Sequence, residues 1–173
     1  AVIIGKNQNP WKECDLQTME RDGVQLVRRI TGGGAVFHDL GNLNFTFLMC
    51  REDYDLDRQV TVIQKACALL GIEATPSGRN DLLAEGRKFS GNAFYDNGSR
   101  CFHHGTLMVD VDKDNLSKYL QVSPGKLSGK GVDSVQARVV NLKELKPDLT
   151  IAQLKTALIQ AMGVVYQCEI EEI

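Results

Sequence analysis

Three consecutive glycines, Gly32, Gly33 and Gly34, mark a stretch whose residue types and spacing could do chemistry. Two arginines, Arg28 and Arg29, precede the triplet, and a short apolar run follows it at residues 35–37. Adjacent glycines lose more backbone entropy on folding than other residues, so packing alone does not favour them. The triplet therefore indicates either a glycine-rich hairpin turn or a site where bare backbone N–H groups bind an anion.

The triplet matches neither of the common nucleotide-binding fingerprints. A strand rather than a helix is predicted after it, and its spacing fits neither G-x-x-x-x-G-K-[ST] nor G-x-G-x-x-G. A phosphate bound at this loop would therefore interact with loop N–H groups and arginines rather than with a helix dipole.

A second cluster of cations follows about fifty residues later in the chain. It contains three cations bracketed by glycines, namely Arg79, Arg87 and Lys88. Strand alternation predicts that Lys88 and Ser90 share one face, with Phe89 and Gly91 on the other. Lys88 then faces either solvent, as strand lysines usually do, or a site in which small neighbours leave room for a ligand.

The histidines suggest a metal site only weakly. His103 and His104 are adjacent on a predicted strand, so their side chains point to opposite faces and do not easily bind one ion. His38 is the third histidine, and no acidic cluster joins the three at ligand spacing. We therefore expect a structural hydrogen bond from one of these histidines rather than metal ligation.

The five cysteines are odd in number and widely spaced, which argues against a disulfide framework or a short-spaced zinc site. Reduced thiols in a cytosol-like compartment fit this pattern best. Cys101 lies close to His103, so a Cys/His nucleophile is one interpretation. A small buried hydrophobic side chain is the simpler interpretation for all five.

Composition and periodicity favour one α+β domain. The chain has 173 residues, 43% hydrophobic residues and a net charge of −2, so nothing global indicates nucleic-acid or membrane binding. The predicted helices are 10–21, 55–70, 114–120 and 151–162, the last with a capping box of Thr150 and Gln153. The predicted strands are 2–4, 24–29, 35–38, 43–49, 72–75, 82–83, 88–95, 101–111 and 168–173, with a tight turn at 39–42 and a polar loop at 123–134.

Five stretches of the chain resemble, in order, the motifs of one family. They are residues 2–14, 28–47, 78–93, 103–107 and 131–142. The chain is similar to lipoate–protein ligases and lipoyltransferases of the biotin/lipoate ligase superfamily. This resemblance implies a biotin/lipoate ligase-like catalytic domain with a mixed, largely antiparallel sheet and flanking helices. Against the family pattern, residues 1–173 are expected to lack the N-terminal segment and the smaller C-terminal accessory domain.

The activity that the resemblance implies is an enzymatic one, lipoate–protein ligation. ATP and lipoate give lipoyl-adenylate (lipoyl-AMP), and the lipoyl group then passes to a lysine of a lipoyl-accepting domain. ATP and Mg²⁺ are the expected cofactors, and lipoate is the expected substrate. The expected partners are lipoyl domains of 2-oxoacid dehydrogenase complexes or the glycine cleavage H protein, with a separate accessory domain as a further candidate. No nucleic acid or membrane partner is expected, and the expected location is cytoplasmic.

The resemblance also implies roles for individual residues. Lys88 is expected to be catalytic, as an electrostatic clamp between the phosphate and the acyl carbonyl. The residues expected to contact ATP or lipoyl-AMP are Arg29, Gly34, Ala35, Val36, Phe37 and Lys88, with Val36 and Phe37 lining a tunnel for the acid. Further candidates are Gly33, His38 and Asp81, of which Asp81 would hold Mg²⁺ or orient Lys88. The metal ligands are otherwise unassigned.

Three alternative functions stay open at this stage. A lipoyltransferase would use pre-made lipoyl-AMP without activating lipoate. An octanoyltransferase of the same superfamily would pass the acyl group through a cysteine, but residues 75–81 and 107–111, where that cysteine lies in its two branches, contain none. A non-catalytic module that binds lipoate or a lipoyl domain is the third alternative, although such a module needs no adenylate clamp.

Overall fold

Two β-sheets set the positions of the glycine loop and the lysine strand. The computed structural model describes residues 1–78, 80–121 and 138–171. The small sheet has the order β2-β1-β3 and consists of β1 (Val2–Ile4), β2 (Leu26–Arg28) and β3 (Val36–Phe37). The large sheet has the order β4-β8-β7-β6-β5 and consists of β4 (Asn42–Cys50), β5 (Thr75–Ser77), β6 (Asp81–Ala84), β7 (Arg87–Asp96) and β8 (Arg100–Met108). All neighbouring strands of the large sheet are antiparallel, whereas β1 and β2 are parallel.

Six α-helices flank these sheets in the described part of the chain. They are α1 (Pro10–Glu13), α2 (Leu16–Arg21), α3 (Leu56–Leu69), α4 (Lys113–Tyr119), α5 (Leu142–Leu145) and α6 (Ile151–Tyr166), with a 3₁₀ turn at Arg51–Asp53. None of the described helices combines the length and the apolarity that a membrane span requires.

One face of the large sheet is covered by α3 and α6. Ile63 of α3 and Leu154 of α6 are fully buried against Phe89 and Leu107 of the sheet. A second cluster joins the small sheet to α2 and α4 through buried side chains, including Val2, Ile4, Met19, Phe37 and Tyr119. The other face of the large sheet is therefore free to meet the glycine loop.

The α+β prediction is confirmed, and several strands and helices begin or end within about two residues of the predicted positions. Helix α3 begins after Asp55, whose side chain accepts from the N–H of Arg58. The capping box of Thr150 and Gln153 is present at the start of α6. The Asn97-Gly98 turn, a pair of residues typical of hairpins, joins β7 to β8.

The single helix predicted for residues 10–21 is wrong, because the chain forms two short helices there. The backbone N–H of Asp15 donates to the carbonyl oxygen of Tyr119, and its side chain caps α2 through the N–H of Thr18. Cys14 forms an isolated bridge with Leu120. These contacts with distant residues replace the helical hydrogen bonds at the break.

The turn at 39–42 does not form a hairpin, since β3 and β4 belong to different sheets. Its Asp39 accepts from the N–H of Gly41 and from the N–H of Asp112. A Cβ at Gly41 would overlap the carbonyl oxygen of Asp110, so the turn packs directly on backbone. The turn therefore carries the chain from one sheet to the other.

Three further predictions differ from the structure. The strand predicted at 72–75 begins at Thr75, and residues 168–171 are not a strand. The helix predicted to end at 162 continues through Gly163 to Tyr166, because the returning chain packs on Gly163 and the N–H of Cys168 donates to its carbonyl oxygen. Helix α5 was not predicted. The loop predicted at 123–134, Arg79 and most of the 131–142 motif lie outside the described residues.

Candidate active site

A β-bulge in β7 turns Lys88 toward a cavity that lies between the glycine loop and the large sheet, called the central cavity below. Leu82 pairs with Ser90 but Leu83 pairs with Lys88, so Phe89 has no partner on β6. The extra residue reverses the side-chain alternation, because two residues of one strand then oppose one of its neighbour. The alternation that placed Lys88 with Ser90 is therefore wrong: Ser90 is buried, whereas Lys88 lies over Gly91, and both of these face the cavity.

The ammonium group of Lys88 is paired with a carboxylate, and its backbone is held on both sides. Nζ lies 2.8 Å from Oδ1 of Asp81, and each of the two side chains is 39% exposed. The N–H of Lys88 donates to the carbonyl oxygen of Arg138, and its own carbonyl accepts from the N–H of Val140. Lys88 thus has a fixed backbone and a charged tip that a ligand can reach.

Arg29 holds the glycine loop in shape. Its Nη2 donates to the carbonyl oxygens of Gly32, at 2.7 Å, and Gly34, at 2.8 Å. Its Nε donates to Oγ1 of Thr31, and burial lowers the pKa of the guanidinium. Gly33 lies between the two acceptors with a φ of 92°, where a Cβ would be 2.8 Å from Nη2 of Arg29. Only glycine fits this position without strain.

The loop also packs directly on the first strand. A Cβ at Gly5 would overlap the carbonyl oxygen of Gly33. The side chain of Arg28 donates to the carbonyl oxygens of Gly5, Lys6 and Gln8. The two arginines therefore tie the glycine loop and the segment after β1 together.

Thr31 joins the loop to the large sheet across the cavity. Its Oγ1 lies 2.7 Å from Nε2 of His104 on β8. Burial and then the nearby charge of Arg29 lower the pKa of His104, so its imidazole is neutral at pH 7. His38 lies on the same cavity; burial is the main cause of its lowered pKa, and its Nε2 is buried without a hydrogen-bond partner among the described residues.

The neighbouring histidine points into the core, as strand alternation predicted for the pair. His103 is fully buried, with Nε2 2.8 Å from Oδ1 of Asn92 and Nδ1 3.0 Å from Oε1 of Gln59. Burial lowers the pKa of His103 to about 4. The amide nitrogen of Asn92 donates in turn to the carbonyl oxygen of Asn80, the residue before Asp81. The buried histidine therefore fixes the backbone next to the partner of Lys88.

The structure brings the predicted site residues together around one cavity of about 610 Å³, with one exception. The predicted residues that line it are Arg29, Gly33, Gly34, Ala35, Val36, His38, Asp81 and Lys88. Phe37 instead is buried 5.6 Å from the Tyr119 ring, measured between ring centroids, and lines a smaller adjoining compartment of about 170 Å³. Val36 and Lys88 line both spaces, so Lys88 lies at their junction.

Several polar residues of the cavity were not predicted as site residues. They include Asn44, Thr46, Asn80, Asn92, His104 and Thr106. Asn44 and Thr46 alternate with the buried side of β4, a pattern that is equally typical of a solvent-exposed face. The sequence signal for them was thus present but not specific.

A larger cavity, about 930 Å³, has none of the predicted site residues among its described lining residues and lies around Tyr54, Arg58 and Tyr166. Within the described residues, no group of three or more His, Cys, Asp or Glu side chains could hold a metal ion. The candidate site is therefore the cavity at Lys88.

Comparison with known proteins agrees with this geometry. Residues 1–163 match the family model of the lipoyl protein ligase A/B catalytic domain. The lipoate-protein ligase A of Psychrobacter cryohalolentis is 49% identical over 167 residues, which are 96% of this chain and 49% of that protein. The chain thus spans about half the length of this curated relative.

Solved structures give the same result. A bipartite lipoate protein ligase of Thermoplasma acidophilum, studied with its E2 lipoyl domain, has a TM-score of 0.89 and 32% identity over 99% of this chain and 69% of its own. A lipoate-protein ligase A bound with ATP has a TM-score of 0.89 and 29% identity over 100% of this chain and 71% of its own. P. falciparum LipL1 in complex with lipoate has a TM-score of 0.84 and 38% identity, over 100% of this chain and 49% of its own.

A more distant match shows the fold alone. The biotin protein ligase of Aquifex aeolicus is 13% identical, with a TM-score of 0.52 over 73% of this chain and 53% of its own. The predicted fold class and the resemblance in the sequence are both confirmed. The chain belongs to the lipoyl protein ligase A/B catalytic domain family, within the fold shared by lipoate and biotin ligases.

Proposed function

We propose that this chain is the catalytic part of an enzyme, a lipoate–protein ligase, that activates lipoate with ATP and transfers the lipoyl group to a lysine. The observation that carries the proposal is the position of Lys88, at the junction of two compartments and opposite the glycine loop. Relatives of the same fold include one bound with ATP and one in complex with lipoate, which supports both substrates.

The chemistry of adenylation explains why a lysine belongs at this junction. The carboxylate of lipoate attacks the α-phosphorus of ATP, a carbon–oxygen–phosphorus anhydride forms, and pyrophosphate leaves with the electron pair of the broken bond. Negative charge develops on the phosphate and later on the acyl oxygen. The ammonium of Lys88 can donate to both, which holds the anhydride in place and polarises the carbon that is attacked next.

We assign the smaller compartment to the nucleotide base. It combines apolar walls, such as Phe37 and Leu116, with the amide of Asn42. A purine needs both flat apolar contact and hydrogen bonds, whereas an aliphatic acid needs only the first. Phe37 then contacts the base, and Ala35 and Val36 remain beside the anhydride. The larger cavity takes the ribose-phosphate and the acyl chain.

Arg29 in this proposal acts on the nucleotide mainly through the loop. The described donors of its guanidinium go to Ile3, Thr31, Gly32 and Gly34. The hydrogen bonds from Arg29 occupy the carbonyl oxygens of Gly32 and Gly34, so loop N–H groups remain to bind an anionic ligand. Gly33 and Gly34 allow the close approach that such a contact needs.

Asp81 fits the ligand set of a magnesium ion that is bound mainly by the substrate. It is the one carboxylate among the described lining residues of the central cavity. Magnesium often uses one or two protein carboxylates together with substrate phosphates, so a single carboxylate is compatible with Mg²⁺–ATP. When bound, the ion supplies charge neutralisation of the phosphates. Asp81 would hold it and also orients Lys88, its present partner at 2.8 Å.

We also propose the partners and the setting. A lipoyl domain is the proposed acceptor, because the Thermoplasma relative was studied with its E2 lipoyl domain. Lipoyl domains of 2-oxoacid dehydrogenase complexes and the glycine cleavage H protein are the candidates. An accessory domain is a further proposed partner, since that relative is bipartite. All five cysteines are free, in keeping with a cytoplasmic location.

Transfer through a cysteine has no support in the site geometry. No cysteine is among the described lining residues of either compartment. Burial raises the pKa of the Cys101 thiol, which disfavours the nucleophilic thiolate.

Lipoate-dependent exchange of pyrophosphate into ATP tests the proposal. We expect exchange with the full-length protein, followed by transfer to an unlipoylated lipoyl domain. Transfer from synthetic lipoyl-AMP without exchange would identify a lipoyltransferase. Binding of lipoate with neither activity would leave a non-catalytic module.

A further inference from the structure

A second opening meets the central cavity beside the glycine loop. It is a space of about 630 Å³ whose described lining residues are Gly32, Gly33, Leu56, Asn80, Ala93 and Phe94. We call this space the passage. Gly33, Asn80 and Ala93 also line the central cavity, so the two spaces share one boundary. The glycine loop and β7 thus border both the passage and the Lys88 site.

The described walls of the passage carry no charge. Leu56, the first residue of α3, and Phe94 of β7 are only partly buried, and neither belongs to a core cluster of the described residues. The central cavity, in contrast, contains the cations Arg29 and Lys88. An anionic triphosphate would therefore find no cation along the described walls of the passage.

An amine is the group that suits such walls. Apolar side chains such as Leu56 and Phe94 penalise a charged ammonium relative to the neutral amine. A nucleophilic amine must lose its proton before it attacks. The aliphatic stem of a lysine can also pack against Leu56, Ala93 and Phe94, which a triphosphate cannot do.

We propose that the passage admits the lysine side chain of the acceptor protein to the acyl-adenylate, an inference that rests on the function proposed above. The neutral amine nitrogen bonds to the carbonyl carbon, and the carbon–oxygen bond of the anhydride breaks. AMP leaves with the electron pair of that bond, and the extra proton on nitrogen passes to water. The acceptor protein then docks on the surface around Leu56, on the side of the glycine loop away from the base.

Substitution of Leu56 tests the passage without touching the residues that hold the adenylate. Leu56→Trp narrows it, and Leu56→Lys adds a cation that repels an incoming ammonium. The matched controls are Leu69→Trp and Leu69→Lys, because Leu69 ends the same helix and is 50% exposed. Three rates are measured in the full-length protein: pyrophosphate–ATP exchange, hydroxamate formation with hydroxylamine, and transfer to a purified unlipoylated E2 lipoyl domain.

We expect transfer to the lipoyl domain to fall at least about tenfold in both Leu56 variants, since misplacing the nucleophile removes its orientation. Exchange and hydroxamate formation should stay within about twofold of wild type, because hydroxylamine is small enough to pass. Both Leu69 variants should match wild type in all three rates.

Two results would refute the proposal that the acceptor lysine enters through the passage. Transfer at the wild-type rate in both Leu56 variants would show that the lysine enters elsewhere, and an equal fall in all three rates would show that Leu56 supports the site as a whole. If the wild type shows no exchange but accepts synthetic lipoyl-AMP, the same comparison is made with that substrate. A wild type inactive in both assays would refute the proposed function itself.

Discussion

The buried histidine of β8 should make the stability of the protein depend on pH in a way that can be calculated. His103 is fully buried, and its pKa of about 4 lies well below the value near 6.5 of a solvated imidazole. Between these two pH values the unfolded chain binds more protons than the folded chain. The contribution of His103 is therefore complete above about pH 6.5 and is lost as the pH falls through 4. From pH 7 to pH 5 this residue alone should reduce the free energy of unfolding by about 2 kcal/mol.

His103→Gln removes the titrating ring and keeps an amide that can bond to Asn92 and Gln59. The free energy of unfolding is measured by urea denaturation at pH 7 and pH 5 for wild type and variant. The variant should lose about 2 kcal/mol less than wild type between the two pH values. Phe45→Leu is the control, because Phe45 packs edge-on against the His103 ring and its loss leaves the imidazole in place.

Equal pH dependence in wild type and His103→Gln would refute this reasoning. It would mean that the imidazole is solvated or charged in the folded protein. Phe45→Leu should lower stability at both pH values and keep the wild-type difference between them.

Three other substitutions examine the loop, the smaller compartment and the cysteine alternative. Gly5→Ala would push the carbonyl of Gly33 away, so we expect the KM for ATP to rise at least about tenfold in steady-state exchange assays, and an unchanged KM would count against a loop shaped for the nucleotide. Leu116→Trp fills the smaller compartment and should raise the KM for ATP far more than the KM for lipoate. A larger rise in the KM for lipoate would show that the smaller compartment binds the acyl chain rather than the base. Cys101→Ser should keep exchange and transfer within about twofold of wild type. An inactive variant would instead support transfer of the acyl group through a cysteine.

The glycine-loop and lysine-strand residues of the cavity were predictable because their patterns are local, whereas Asn44, Thr46 and His104 were not predicted. A glycine triplet flanked by arginines and apolar residues indicates a loop, and Glu85-Gly86 and Asn97-Gly98 form the turns at the two ends of the strand that carries Lys88. The family resemblance was recognisable because five such stretches occur in the same order as the motifs of the family. The helices α3 and α6 were predictable for the same reason, since capping residues such as Asp55 and Thr150 precede their apolar stripes.

What could not be predicted depends on contacts between distant segments. The bulge at Phe89 arises from the register of β7 against β6, which no local pattern encodes, yet it decides the direction of Lys88. The break between α1 and α2 depends on the bond from Asp15 to Tyr119. Phe37 was predicted to line the central cavity but packs on Tyr119 instead. His104 was not predicted as a site residue, yet it lines the cavity and contacts Thr31.

The charge of Lys88 is the central element of the proposed function, and one variant tests it most directly. Lipoate-dependent pyrophosphate–ATP exchange is measured for wild type, Lys88→Ala and Lys65→Ala, where Lys65 is an exposed lysine of α3. We predict that Lys88→Ala lowers exchange at least about 100-fold with wild-type thermal stability, because it removes a donor to the developing charge. Lys65→Ala should exchange at the wild-type rate. Exchange at the wild-type rate in Lys88→Ala would contradict the proposed role of the Lys88 charge in adenylation.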